Sequence, residues 1–418
     1  MCNNLLANES NICEQMKVIF VTTYDARDIR NWSGLPYYIA KGFLDAGIQV
    51  EFVSELNSLS DKYWKFRLKD LFYNKILKKK WGKYISFYEP ENLKFIAKQV
   101  KERVDKIEDG IIFSPGTIPI AYLNTDKPIA FWTDATFAVM ENYYQDFNGL
   151  CKRTINNCHS YEKNAIKRSS LAIYSSEWAA NSSIKDYGAD FKKVKIIPFG
   201  SNIQSKRTIN DIVENNAKKA RDICKLLLIG QDWKRKGVDK AICIAEQLNK
   251  SIKTELTIVG CFPPNGETLP DFIKVTGFIS KDNINGVHLI ESLYKENHFF
   301  VLPTIAEAMG VVFCEANSFG LPVITTNTGG ISTVIRNDVN GKMFDVDFDI
   351  IECAKYIEDI FSNFQRYNDY SLNSFNEYSD RLNWQVSMDK CISYMKSLEN
   401  SNLEKLAEII PLEGSFIR

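Results

Sequence analysis

Residues 299–330, FFVLPTIAEAMGVVFCEANSFGLPVITTNTGG, decide the fold class of this 418-residue chain. The apolar run Phe299–Leu302 has the length and continuity of a buried strand. Pro303, which has no N–H to offer a ladder, ends it. A loop follows, then a predicted helix from about Gly310 to Phe319, closed by Gly320 as a left-handed cap with Pro322 directly after it. Val323–Thr325 is the next strand. Strand, loop, helix and strand in this order make a parallel α/β unit, in which ligand groups gather beyond the carboxyl end of the first strand.

Two carboxylates in this unit face its expected ligand, Glu307 and Glu315. Inside one straight helix they would sit roughly 80° apart in azimuth. With Glu307 in the loop and Glu315 in the helix, both face one pocket above the sheet. The N–H groups of Met309, Gly310 and Val311 fall at the helix start, where backbone donors lack intrahelical partners and the dipole favours anions. Acceptors beside such donors suit a polyhydroxylated, phosphorylated ligand; ordinary surface charge is the alternative for two isolated glutamates.

The pattern P-T-x-x-E-A-x-G-x-x-x-x-E-A-x-x-x-G-x-P-V-I-x-x-x-x-G-G, from Pro303 to Gly330, resembles the E-x7-E signature of the retaining GT-B glycosyltransferases of family 4 (glycosyl transferases group 1). The likeness continues to the Asn340-Gly341 turn. It implies that Glu307 contacts the donor sugar and that Glu315 holds the ribose hydroxyls. On that role, replacing Glu315 by alanine is expected to weaken donor binding with little loss of stability. Ala308 stands where the family usually has glycine.

Outward from this unit the chain keeps an α/β rhythm. Lys17–Thr22 is a near-continuous apolar strand of the kind that parallel sheets bury. A loop with Trp32, Ser33 and Gly34 follows, then a helix over Leu35–Ala46 and a strand at Gln49–Val53. Ile111–Ser114, Pro128–Thr133, Leu171–Ser175 and Val194–Pro198 read as further strands, with Ser175 or Ser176 capping a helix. Asp134 stands at a strand's carboxyl end, where it is either a site residue or a capping residue. Asn202–Arg221 is polar and irregular and reads as a linker. Beyond it, Lys225–Gly230, Glu255–Gly260 and Phe272–Gly277 are strands, and Asn285–Glu296, Ile350–Phe361 and Trp384–Leu398 are helices. Arg235 and Lys236, in the turn before a helix start at Gly237, are placed to neutralise a diphosphate.

The resemblance carries further residues. Gly34 matches one of two glycines near donor phosphate and acceptor, with Ser33 replacing the other. Asp134 stands about where the family often has a histidine near the sugar, and Phe199 in PFGSN replaces the asparagine of the interdomain turn. The G-x-x-x-x-x-K-G turn from Gly230 to Gly237 implies that Lys236 contacts the diphosphate. Gln231 replaces the family's arginine; compensation by Arg235 is inferred from its place in the turn and is not part of the likeness. Phe278, in VTGFIS, lies beside the nucleobase; plain core is its alternative.

Lys62–Tyr88 breaks the rhythm. It mixes lysine and arginine with Trp64, Phe66, Phe72, Tyr73 and Trp81, and Asp70 is its single acid between Lys62 and Lys83. Basic charge interleaved with aromatics suits a membrane interface or an anionic acceptor. It equally suits a solvated helix whose aromatic side packs on the domain.

Composition sets bounds. The 52 basic and 52 acidic residues cancel, so global charge gives no case for nucleic-acid binding. Ten cysteines without a C-x-x-C pair argue against zinc. With no leader peptide in view, they lead to an expectation of a reducing cytoplasm. No apolar run approaches the length of a membrane span. Residues 1–15, polar and rich in asparagine, are expected to fray.

The fold expected is α/β: two facing doubly wound Rossmann-like domains with a cleft between them, the GT-B arrangement. Residues 1–200 form the acceptor domain and 201–384 the nucleotide-sugar donor domain, with helices of about 385–418 packing back on the first. The expected activity is retaining transfer of a hexose-type sugar from a nucleoside-diphosphate sugar to an acceptor hydroxyl. No metal is expected, since Lys236, Arg235 and the helix start near Gly310 can support the leaving diphosphate without one. The acceptor is a sugar, lipid-linked or protein hydroxyl, in surface polysaccharide or glycolipid synthesis on the inner face of the membrane. A GT-B epimerase or phosphorylase, a catalytically silent sugar-nucleotide binder and a dinucleotide oxidoreductase are the alternatives. The last lacks a G-x-G-x-x-G after its first strand.

Overall fold

The computed structural model describes residues 16–77, 82–203, 206–266 and 268–409. The polar extension at 1–15, the Lys78–Lys80 run with Trp81, and residues 410–418 lie outside the described residues.

Strands β1 Lys17–Val21, β2 Gln49–Val53, β3 Ile111–Ser114, β4 Ile129–Thr133, β5 Leu171–Tyr174 and β6 Val194–Ile196 form one six-stranded sheet in the order β2-β1-β3-β4-β5-β6. Strands β7 Cys224–Ile229, β8 Thr254–Val259, β9 Ile273–Gly277, β10 Phe299–Leu302, β11 Val323–Thr326 and β12 Gly341–Phe344 form a second, in the order β12-β11-β10-β7-β8-β9. Every pairing is parallel, which is why the central strands are apolar throughout rather than alternating. Register places Phe20 opposite Phe52 and Phe113, and the three rings pack with centroids 5.9 and 5.7 Å from the middle one. Two parallel six-stranded sheets with flanking helices are the GT-B fold.

Strand order locates the site. In the second sheet the chain moves outward from β7 through β8 to β9, then returns to β10 on the other side of β7. The crevice at such a reversal, outside the strands' carboxyl ends, is where open α/β sheets bind ligands. It lies here between the turn after β7, with Arg235 and Lys236, and the loop after β10, with Glu307. These two segments touch. Gly237 has φ +68, and a Cβ on it would fall 2.0 Å from the Pro303 carbonyl oxygen, so only glycine permits the approach.

The segment expected to be an irregular linker contains a helix, Ile209–Lys218. Its start is a capping box between Thr208 and Asp211, and its buried residues are only Ile212 and Asn216, so its polarity is that of a mostly solvated helix. Asn216 Nδ2 donates to Ser371 Oγ at 2.8 Å on the helix Phe364–Arg381. The chain crosses between the sheets twice, side by side. Ser201 N–H donates to the Leu382 carbonyl at 3.0 Å. Trp384 then opens the helix Trp384–Ile409, stacks on Tyr38 at 5.9 Å and donates from Nε1 to Asn202 Oδ1 at 3.1 Å. Met388 covers Gly42 of the Leu35–Asp45 helix, where a Cβ would come within 2.4 Å.

Candidate active site

The turn after β7 is fastened to the loop after β10. Arg235's carbonyl accepts from Ile305 N–H at 2.8 Å and from Thr304 Oγ1 at 2.9 Å. Arg235 Nη1 donates to the Ala306 carbonyl at 3.0 Å and lies 3.6 Å from Glu307 Oε2. Lys236, nearly buried, donates from Nζ to the same oxygen. One carboxylate oxygen therefore meets two cations at the floor of the crevice. An arriving diphosphate would meet two cations that here share Glu307, with Arg235 also 3.8 Å from Asp232 Oδ2.

Val311–Ser318 is a helix capped by Gly310 at φ 85. Among the described residues, the N–H groups of Met309, Gly310 and Val311 have no backbone acceptor. Met309's side chain points away from this opening: it is buried, and its Sδ accepts from Phe199 N–H at 3.3 Å. Met309 thus contributes backbone to the site while its side chain pins the first interdomain crossing.

Glu315 is 3 % exposed, and both its oxygens are engaged. Oε2 accepts from Tyr294 Oη at 3.1 Å and Oε1 from Lys281 Nζ at 2.5 Å. Lys281 is the replaceable partner, since its side chain is partly exposed whereas Tyr294 is fully buried. Phe278 is 66 % exposed, which excludes the plain-core alternative. Phe262, equally open, lies next to it against Gly277.

The first domain closes the crevice from above. Tyr143, in the loop after β4, accepts from Glu307 N–H at 2.9 Å and lies 2.8 Å from Thr328 Oγ1. Gly329 and Gly330 let this happen: a Cβ on either would strike the carbonyl oxygen of Glu307 or Ala308. Asp134 is half-buried beneath the same opening. Burial pushes its carboxyl up from 3.8 to about 7; its backbone and Trp32 bonds work against the rise, and the Glu307 charge adds to it. Glu307 is thus near enough for its charge to oppose ionisation of Asp134.

The loop at the mouth is not an ordinary glycine loop. Trp32, Ser33 and Gly34 have φ of 42, 56 and 82, three left-handed residues in a row of which only the last is glycine. Such conformations cost roughly 1–3 kcal/mol each outside glycine and persist only where surroundings impose them. Here Asn202 Nδ2 donates to the Ser33 carbonyl at 2.7 Å, and Trp32 sets its edge on Phe199 at 6.1 Å.

The structure thus brings Arg235, Lys236 and Glu307 together beside the Met309–Val311 backbone, with Asp134 within reach of the Glu307 charge and of Trp32, which precedes Gly34 in the strained turn. Glu315 and Phe278 lie on the side of the second sheet. Sequence reasoning missed Tyr143, Thr328, Lys281, Tyr294 and Trp32. Tyr294 reads as helix core, and Lys281 as one more surface lysine. No described group of three His, Cys, Asp or Glu residues is placed to hold a metal ion.

Residues 209–377 match the family model for glycosyl transferases group 1. A D-inositol 3-phosphate glycosyltransferase of Paenarthrobacter aurescens is 25 % identical over 202 residues, covering 46 % of this chain and 48 % of that protein. The chain thus spans about half the length of the curated relatives it matches. In structure it is similar to sucrose-phosphate synthase of Thermosynechococcus elongatus, with TM-score 0.66 and 14 % identity over 93 % of this chain and 100 % of that one. It is also similar to HepE of Anabaena solved with UDP-glucose, with TM-score 0.57 and 15 % identity over 92 % and 100 %.

Proposed function

We propose that this protein is a glycosyltransferase that moves a hexose-type sugar from a nucleoside-diphosphate sugar to an acceptor hydroxyl, with retention at the anomeric carbon. The observation that carries the reading is the Arg235–Lys236–Glu307 cluster, seated at the strand-order reversal beside unpaired helix N–H groups. The group 1 match over the second domain and the UDP-glucose bound to a protein of the same fold support it.

The donor diphosphate lies against Lys236, Arg235 and the N–H groups at Gly310. As the sugar–phosphate bond breaks, charge grows on the leaving diphosphate, and these preorganised positive groups stabilise it more in the transition state than in the ground state. Glu307, released from its two cations by the phosphates, takes the sugar hydroxyls. Glu315 takes the ribose hydroxyls once Lys281 swings aside, and Phe278 lies against the base. Asp134, poised near neutrality, holds or accepts a proton at the acceptor side. The chemistry belongs to surface polysaccharide or glycolipid synthesis at the cytoplasmic face.

A thermal-shift screen of UDP-, GDP-, ADP- and CMP-sugars tests the donor site, because a ligand bound only by the folded state raises the midpoint. The donor that shifts it should release free nucleoside diphosphate only when an acceptor is added. Release with no acceptor, or isomerised donor without release, overturns the transferase reading. Binding without any turnover supports a silent binder.

A further inference from the structure

The helix Trp64–Leu71 and the wider π turn Phe72–Leu77 that continues it have apolar side chains on two opposite sides. The inner side is fixed to the domain. Phe66 is fully buried, and Tyr73 stacks on Tyr84 at 4.4 Å. Asp70 accepts from Ser86 N–H at 3.1 Å and from Ser86 Oγ at 2.6 Å. Asn74 exchanges two hydrogen bonds with the Tyr84 backbone. The reading of a helix whose aromatic side packs on the domain holds for this side.

The outer side is uncovered. Trp64, Leu68, Leu71, Phe72 and Ile76 are 72, 52, 48, 51 and 67 % exposed. At about 100° per residue, the first four fall within an arc of about 100° opposite Phe66. Arg67 borders one edge of the arc, and Lys65 and Lys69 the other. The single acid of this helix, Asp70, is turned inward and used. An apolar face this open marks an interaction site. Of the cations at its edges Lys65 is held by Glu91 at 2.7 Å, which leaves Arg67 and Lys69 to select the partner's charge.

We propose that this face docks the protein on an anionic lipid bilayer, with Trp64, Leu68, Leu71 and Phe72 entering the headgroup boundary and Arg67 and Lys69 meeting lipid phosphate. An apolar arc flanked by cations, with aromatic rings at interfacial depth, is what such surfaces bind. Among the described residues no helix is long and apolar enough to cross a membrane, so the contact is peripheral. Docking stands without the transferase reading; its use, presenting a lipid-linked acceptor to the cleft, rests on that reading. The placement suits this use. Lys83 N–H donates to the Gly149 carbonyl at 2.7 Å, and its Nζ to the Asp146 carbonyl at 3.2 Å. The docking segment is thereby tied to the loop that brings Tyr143 to Glu307.

The test is cosedimentation of the full chain with phosphatidylglycerol/phosphatidylcholine vesicles and with pure phosphatidylcholine vesicles, at low and physiological salt. Wild type should pellet with the anionic vesicles and release as salt rises. The combined change Trp64→Ser, Leu68→Ser, Leu71→Ser, Phe72→Ser should lower partition about tenfold or more at unchanged Tm, and Arg67→Ser with Lys69→Ser should do so mainly at low salt. Wild type that stays in the supernatant with anionic vesicles at low salt overturns the proposal, as does a quadruple variant that pellets like wild type. A wild-type dimer that the quadruple change makes monomeric, without vesicle binding, assigns the face to a second copy and overturns it too. Vesicle binding with no sugar transfer leaves docking standing and removes the transferase reading alone.

Discussion

Glu315→Ala should weaken nucleotide binding and destabilise the fold at the same time. Its two oxygens differ in surroundings. Oε1 faces Lys281, whose partly exposed ammonium can turn to water when the carboxylate goes, so loss of that pair costs little. Oε2 is the acceptor for the hydroxyl of Tyr294, which is 0 % exposed and cannot turn to water. An orphaned buried hydroxyl costs about 1–3 kcal/mol, and a charge-assisted bond to ribose is worth about 1.5–3 kcal/mol. Binding should therefore weaken about ten- to a hundredfold, and the urea midpoint should fall by the equivalent of about 1–3 kcal/mol. The expectation of little loss of stability is replaced because this carboxylate is buried on Tyr294. Tyr294→Phe separates the two effects: it removes the hydroxyl and keeps the carboxylate, so binding should change less than about threefold, below what one ribose bond is worth. Calorimetry with UDP, GDP and ADP, beside urea unfolding of both variants, gives the readouts. Unchanged affinity of Glu315→Ala for the nucleotide that wild type binds refutes the ribose role. An unchanged urea midpoint refutes the account of the buried bond.

Lys236→Ala should lower kcat by about a hundredfold and donor affinity far less, since its charge counts most as the diphosphate leaves; an unchanged kcat with a raised KM removes that role. Asp134 has its folded-state pKa raised from 3.8 to about 7. Its contribution to stability is full below the lower value and is lost as pH rises through the higher. Asp134→Asn should flatten the fall of Tm between about pH 4 and 7 by a few degrees, and parallel curves for the two proteins count against it. Ser33→Gly should raise stability by about 0.5–1 kcal/mol, because glycine adopts φ +56 without strain; an equal gain from Ser33→Ala would show that conformation is not the cause.

Periodicity was enough to find most strands to within a residue or two, because parallel strands buried on both faces are written as unbroken apolar runs. It did not find β12, Gly341–Phe344, an edge strand with Lys342 in it, nor the helix Ile209–Lys218, whose buried side is two residues wide. Glu307 was placed in its loop and Glu315 in its helix from the proline and glycine signals around them. Tyr143 could not be read in the same way. Its partner Glu307 is 164 residues away, and nothing local to FAVMENYY announces the contact. The strain at Trp32 and Ser33 was equally hidden, since it is imposed from Asn202 in another part of the chain.

The paired crossings confine how the two halves can move. Near Tyr38, Asn202 and Trp384 both passes of the chain are tied to one another, and Phe199 locks onto Met309 and Cys314 beside them. That end is a pivot, so separation of the halves is a rotation about it rather than a slide. The far end is held by Tyr143 on Thr328 and by Glu177 N–H on Thr333 Oγ1 at 3.0 Å. These are neutral bonds, worth about 0.5–1.5 kcal/mol each. They form a clasp that thermal motion can undo, and because Tyr143 also holds the Glu307 backbone, each release of the clasp loosens the very carboxylate that the pocket is built around.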